Sequence, residues 1–68
     1  MDNDLKVWRA KTDVTQAELA DEVDVSRQTI NAIERGRYDP SLSLAFELAR
    51  FFDCHIEDIF QYDPDEGS

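Results

Sequence analysis

Within nine residues this 68-residue sequence places two guanidinium groups and two carboxamides, Arg27, Gln28, Asn31 and Arg35. Each of these side chains can make two hydrogen bonds to a planar partner, the geometry that suits guanine edges for arginine and adenine edges for glutamine and asparagine. At about 100° per residue, Ile30 and Ile33 fall about 60° apart and mark a buried side, with Glu34 flanking it. Gln28, Asn31, Ala32 and Arg35 gather on the opposite side, and Arg27 projects laterally at the start of the helix. A core-facing surface would carry more apolar residues than this. The competing reading is an ordinary solvated helix face.

Other chemistries find little support. The sequence holds no phosphate-binding glycine loop, no nucleophile paired with a base and no metal-ligand set. The carboxylates Asp21 with Glu22, and Glu57 with Asp58, are adjacent on helices and point apart, which argues against an acid–base pair. Cys54 permits no internal disulfide, and Cys54 with His55 falls short of the roughly four ligands a zinc site requires. Cys54 reads as a small buried hydrophobe and His55 as a surface or capping residue. No catalytic residue, metal, cofactor or small-molecule ligand is therefore expected. No apolar run approaches the roughly 20 residues of a membrane span, and the acidic N-terminus MDNDLK does not resemble a signal peptide. A reducing cytoplasm is the expected compartment, without membrane association.

The elements that must position the polar face follow from capping and periodicity. Leu5 and Trp8, three residues apart, give a first helix over 5–12 an apolar stripe, with Trp8 expected in the core. Thr15 and Glu18 stand in the spacing of a capping box, so a second helix begins at about Gln16, with Leu19, Ala20 and Val23 facing inward. Ser26 is the expected N-cap of a third helix over 27–35. Gly36 suits a left-handed C-terminal cap. Pro40 and Ser41 open a fourth helix over 42–52, the expected central packing element. Ile56, Ile59 and Phe60 give a short fifth helix. Residues 63–68 read as an acidic, disordered tail behind a single domain over 1–62.

The overall charge opposes nucleic acid, and its distribution does not. Seven Lys and Arg against sixteen Asp and Glu leave a net charge of −9. Residues 26 to 38, however, carry Arg27, Arg35 and Arg37 against Glu34. With a Debye length of about 8 Å, distant acids are largely screened from whatever that segment touches. Weak nonspecific binding is expected, because that term grows with phosphate contacts.

The stretch QAELADEVDVSRQTINAIER, from Gln16 to Arg35, resembles the helix-turn-helix of the lambda-repressor-like, Xre-type (Cro-like) family of phage and microbial transcriptional regulators. Counted from Gln16, the family's small fifth residue, glycine at the ninth position and branched fifteenth residue correspond to Ala20, Asp24 and Ile30. Leu19, Val23, Val25 and Ile33 fall on its buried positions. The resemblance runs from about Leu5 to Phe60. It implies an all-α, compact five-helix DNA-binding domain whose helix-turn-helix is formed by the second and third helices.

By this resemblance Arg27, Gln28 and Asn31 contact base edges, and Ala32 either allows close approach or touches a thymine methyl. Gln16 clamps a phosphate and braces the reading helix. Thr15, Ser26 and Thr29 lie near the backbone, and Arg35 and Arg37 contact phosphates. Arg9 and Glu34 form a structural ion pair between the first and third helices. The implied partner is double-stranded DNA with a palindromic operator, bound by a homodimer. Apart from the resemblance, the last helix, with Ile56, Phe60 and Tyr62, offers the expected exposed apolar strip for pairing. The implied function is a sequence-specific regulator, most simply a repressor acting by occlusion. A protein-interaction module of the same fold, an antitoxin or adaptor with weak or no DNA binding, is the alternative.

Asp13, Asp24 and Asp53 occupy turns where the family commonly has glycine. Aspartate tolerates positive φ better than most residues but less well than glycine. With ten Asp and two Lys in the chain, these turns suggest adaptation to a salt-rich cytoplasm.

Overall fold

In the computed structural model, which describes residues 1–62, five helices follow one another: α1 (Leu5–Thr12), α2 (Gln16–Glu22), α3 (Arg27–Glu34), α4 (Leu42–Phe52) and α5 (Ile56–Ile59). Their starts are set by local hydrogen bonds. The Thr15 hydroxyl accepts from the Glu18 N–H at 3.0 Å while the Glu18 carboxylate accepts from the Thr15 N–H at 2.9 Å, closing a capping box on α2. Ser26 caps α3 by accepting from the Thr29 N–H at 3.1 Å, and Ser41 caps α4 by accepting from the Leu44 N–H at 3.2 Å. At α5 the exposed His55 supplies its backbone N–H, which donates to the Asp58 carboxylate at 2.9 Å.

Four helix ends share one geometry. A residue in the left-handed region follows the helix, and the next N–H reaches back to a carbonyl five residues earlier: Val14 to Arg9, Val25 to Ala20, Arg37 to Ala32 and Cys54 to Ala49, at 2.9–3.1 Å. The left-handed residues are Asp13 (φ 59°), Asp24 (φ 57°), Gly36 (φ 73°) and Asp53 (φ 55°). The three aspartates therefore adopt the conformation that the family's glycines would supply, at a steric cost glycine avoids.

The core draws on every helix. Leu5, Leu19, Ile30, Ile33, Leu48 and Ile59 are fully buried, and Ala20, Val23, Leu44, Ala45, Ala49, Phe52 and Phe60 complete the cluster. Burying a Leu or Ile side chain stabilises by about 1.5–3 kcal/mol, so these contacts hold helices too short to persist alone in water. α4 contributes the most buried side chains, as expected of a central packing element.

Three expectations change. Residues Asp2–Asn3 (β1) and Phe60–Gln61 (β2) form a two-residue antiparallel ribbon, pairing Asp2 with Gln61 and Asn3 with Phe60. Phe60 therefore leaves α5, and as a strand residue it turns its ring into the core at 7% exposure. An apolar strip of Ile56, Phe60 and Tyr62 open for pairing does not exist, because its middle member is buried. Trp8 is half-buried rather than central: its ring lies 6.0 Å from that of Phe52, and its indole N–H donates to the Asp58 carbonyl at 3.1 Å. The indole N–H explains the placement, since a fully buried one needs an acceptor and this one finds it at the surface. Cys54 is half-buried against the core. The tail at 63–68 lies outside the described residues.

Candidate nucleic-acid interface

α2 and α3 pack through Leu19, Ala20, Val23, Ile30 and Ile33, joined by the left-handed turn at Asp24. Because those side chains face the core, the opposite side of α3 faces solvent. Arg27, Gln28 and Arg35 are exposed, and Asn31 and Ala32 are half-buried at its base. Gly36 then redirects the chain so that Arg37 returns to the same side. Together with Gln16 from the start of α2, these six residues line one shallow groove. Three guanidinium groups and three carboxamides border it, and among the described residues no carboxylate does. The chain's acidity lies elsewhere.

The other residues marked in the sequence sit around this groove. The Thr15 hydroxyl accepts the capping bond from the Glu18 N–H at the head of α2. The Ser26 and Thr29 hydroxyls lie 2.9 Å apart at the head of α3. They share a hydrogen bond and leave one O–H to donate outward.

Beneath the groove, α1 is tied to α3. Arg9 donates from Nε to Glu34 Oε2 at 2.8 Å, from Nη2 to Glu34 Oε1 at 3.3 Å and from Nη1 to the Val14 carbonyl at 3.1 Å. The Glu34 side chain is 6% exposed and that of Arg9 18%. The hydrogen bond to Glu34 raises the pKa of the Arg9 guanidinium, and partial burial opposes that rise. Gln16 Nε2 also donates to Glu34 Oε1, at 3.0 Å, and Asn31 Nδ2 points at Gln16 Oε1 from 3.5 Å. A continuous polar chain therefore runs from Arg9 through Glu34 and Gln16 to the face of α3.

One contributor leaves no trace in the sequence pattern. Asn3 Nδ2 donates to the Ile33 carbonyl at 2.8 Å, a second bond beside that from the Gly36 N–H at 3.0 Å, while its Oδ1 accepts from the Leu5 N–H at 3.1 Å. Asn3 thus braces the end of α3 from the ribbon, thirty residues away in the chain.

The geometry has counterparts in known proteins. The helix-turn-helix family profile matches residues 5–59. Over 66 residues the chain is 59% identical to an uncharacterised HTH-type transcriptional regulator of Methanocaldococcus jannaschii, covering 97% of this chain and 100% of that one. It is 52% identical over 62 residues to an uncharacterised HTH-type transcriptional regulator of Archaeoglobus fulgidus, covering 91% and 87%. Among solved structures, the SOS-response transcriptional repressor LexA from Eubacterium rectale matches with a TM-score of 0.78 at 30% identity, over 88% of this chain and 64% of that one. The clp gene regulator ClgR from Corynebacterium glutamicum matches with a TM-score of 0.74 at 31% identity, over 79% and 57%. The chain spans less than two thirds of these two solved chains.

Proposed function

The chain belongs to the helix-turn-helix family of transcriptional regulators, and we propose that it is a sequence-specific DNA-binding repressor, acting as a homodimer with α3 in the major groove. The observation that carries this reading is the groove bordered by Gln16, Arg27, Gln28, Asn31, Arg35 and Arg37, a cationic, amide-rich surface on an otherwise acidic chain.

Arg27, Gln28 and Asn31 address base edges, where a bidentate pair is worth about 1–3 kcal/mol of discrimination. Ala32 lets the helix approach closely enough for a thymine methyl to reach it. Gln16, Arg35 and Arg37, with the Thr15, Ser26 and Thr29 hydroxyls, take phosphates and fix the register without reading sequence. Arg9 and Glu34 hold α3 at its angle.

A single α3 reads too few base pairs for a tight site, so two copies present their helices to successive major grooves about 34 Å apart on a palindromic operator. Pairing uses the outer edge of α4, where Leu42 and Phe46, one turn apart, are 70% and 54% exposed. Phe46 and the half-buried Ile56 line a groove there with Arg50 and Glu57. Both signs of charge on one patch allow each copy to complement the other. A bound dimer represses by occluding the promoter, a role the similarity to LexA, a transcriptional repressor, supports.

The test is selection from random duplexes at several potassium chloride concentrations. Enrichment of a palindrome supports the reading. No enriched sequence at any salt would instead favour an antitoxin or adaptor whose acidic surface meets a basic protein.

A further inference from the structure

We infer that the Glu34–Gln16–Asn31 chain is a polarity relay that fixes which edge of the Asn31 carboxamide faces the groove and so makes Asn31 an adenine reader; this rests on the DNA-reading function proposed above.

The starting point is Glu34, whose carboxylate is almost buried, paired with Arg9 and able only to accept. Gln16 must therefore present its NH2 end to it, as the 3.0 Å contact from Nε2 to Glu34 Oε1 shows. A carboxamide has one donor end and one acceptor end. With its nitrogen committed, Gln16 turns Oε1 toward α3, and an amide oxygen only accepts. Asn31 must answer with its own nitrogen, and Nδ2 faces Gln16 Oε1 at 3.5 Å.

Each reversal meets a penalty. Turning Asn31 over sets Oδ1 against Gln16 Oε1, two acceptors with no hydrogen between them. Turning Gln16 over sets Oε1 against the Glu34 carboxylate. The Glu34 side chain is 6% exposed, so water cannot cheaply mend the mismatch at its carboxylate; at Asn31, which borders the solvent-facing groove, the mismatch costs less. The 3.5 Å separation is long, so the relay acts through polarity rather than through the strength of its last bond.

The consequence reaches the base. One Nδ2 hydrogen of Asn31 is directed to Gln16, leaving the second N–H and Oδ1 as a donor and acceptor pair. Adenine presents the complement, N7 to accept and the N6 amino group to donate, whereas guanine presents two acceptors. Asn31 held in this sense favours adenine and offers guanine a single bond. Gln16 Nε2 retains its second hydrogen for a phosphate, so both roles of Gln16 are compatible.

The test compares duplex selections by the wild-type chain, Asn31→Ala, Gln16→Met and Glu34→Gln, with thermal unfolding by circular dichroism recorded for each. Asn31→Ala should relax preference at one adenine and thereby identify its base pair. Gln16→Met removes a phosphate contact, which lowers affinity for all sequences alike; the relay adds a selective loss, about tenfold, in preference at that adenine, with the base pairs read by Arg27 and Gln28 unchanged. Glu34→Gln lets Gln16 turn over, which withdraws Nε2 from the phosphate and weakens the pair with Arg9, so it should lower affinity for all sequences in addition to the selective loss at that adenine. If Glu34→Gln does not fold, Gln16→Met alone decides. The relay is overturned if Asn31→Ala affects a base other than adenine, or if the folded variants keep the adenine preference intact. Failure of the wild-type chain to enrich any sequence overturns the DNA-reading function itself, and the two failures are therefore separable.

Discussion

Arg9 and Glu34, 25 residues apart in the sequence, meet between α1 and α3 with Nε and Oε2 at 2.8 Å and with a second, longer bond beside it. This pair sets the reading helix on its scaffold. Arg9→Met should leave the nearly buried carboxylate with the Gln16 amide as its remaining side-chain donor, and the expected loss is about 3 kcal/mol, at the low end for breaking a buried pair. Urea unfolding measures it. A loss under about 1 kcal/mol, the range of surface pairs, would contradict this assignment.

Stability in acid should register the capping box. Hydrogen bonding to the Thr15 backbone and hydroxyl holds the Glu18 carboxyl below its ordinary pKa. A group whose folded pKa is depressed contributes fully above its unfolded value, about 4.3 for glutamate, and loses that contribution as pH falls through the folded value. The gap in melting temperature between the wild-type chain and Glu18→Ala should be constant from pH 7 to 5 and narrow below about pH 4. A gap that widens in acid would rule out this role.

Most of the fold is legible because its signals are local. Thr15 with Glu18, Ser26 and Ser41 announce helix starts within one turn of themselves, and Gly36 announces an end. The ribbon is not legible, since two residues at each end of the domain have no periodicity, and only the folded chain brings Asn3 to Phe60. Phe60 reads as part of α5 for the same reason: its four-residue spacing from Ile56 is helical, and the strand pairing that overrides it is remote. At the site, the polar face of α3 follows from a helical wheel. The joining of Gln16 to Glu34 and Asn31 needs the packing angle of α2 on α3, which spacing does not encode. Asn3 is invisible because one side-chain bond to a distant carbonyl leaves no pattern.

Salt should stabilise this chain. Sixteen acids against seven bases repel one another at low ionic strength, and Asp13, Asp24 and Asp53 place carboxylates at three left-handed turns. Unfolding midpoints are expected to rise from dilute buffer to molar potassium chloride. An unchanged or falling midpoint would remove the case for adaptation to a salt-rich cytoplasm.

Self-association should depend on the outer edge of α4. Phe46→Asp adds a charge to an already exposed position, so it should leave the melting temperature within a few degrees while shifting sedimentation from dimer to monomer. Cooperative binding to a palindrome should fall with it. A wild-type chain that sediments as a monomer at high micromolar concentration, or a Phe46→Asp dimer, would move the pairing surface elsewhere.

If α3 reads sequence while its flanking arginine holds phosphate, a matrix of binding free energies over single-base variants of the selected operator separates the two roles. Arg27→Ala and Gln28→Ala should each lose about 1–3 kcal/mol, confined to particular base pairs. Arg37→Ala should give a uniform loss across all sequences and a salt slope shallower by about 1 for each such contact removed. Uniform losses for all three variants, or no dependence of wild-type binding on sequence, would contradict that separation.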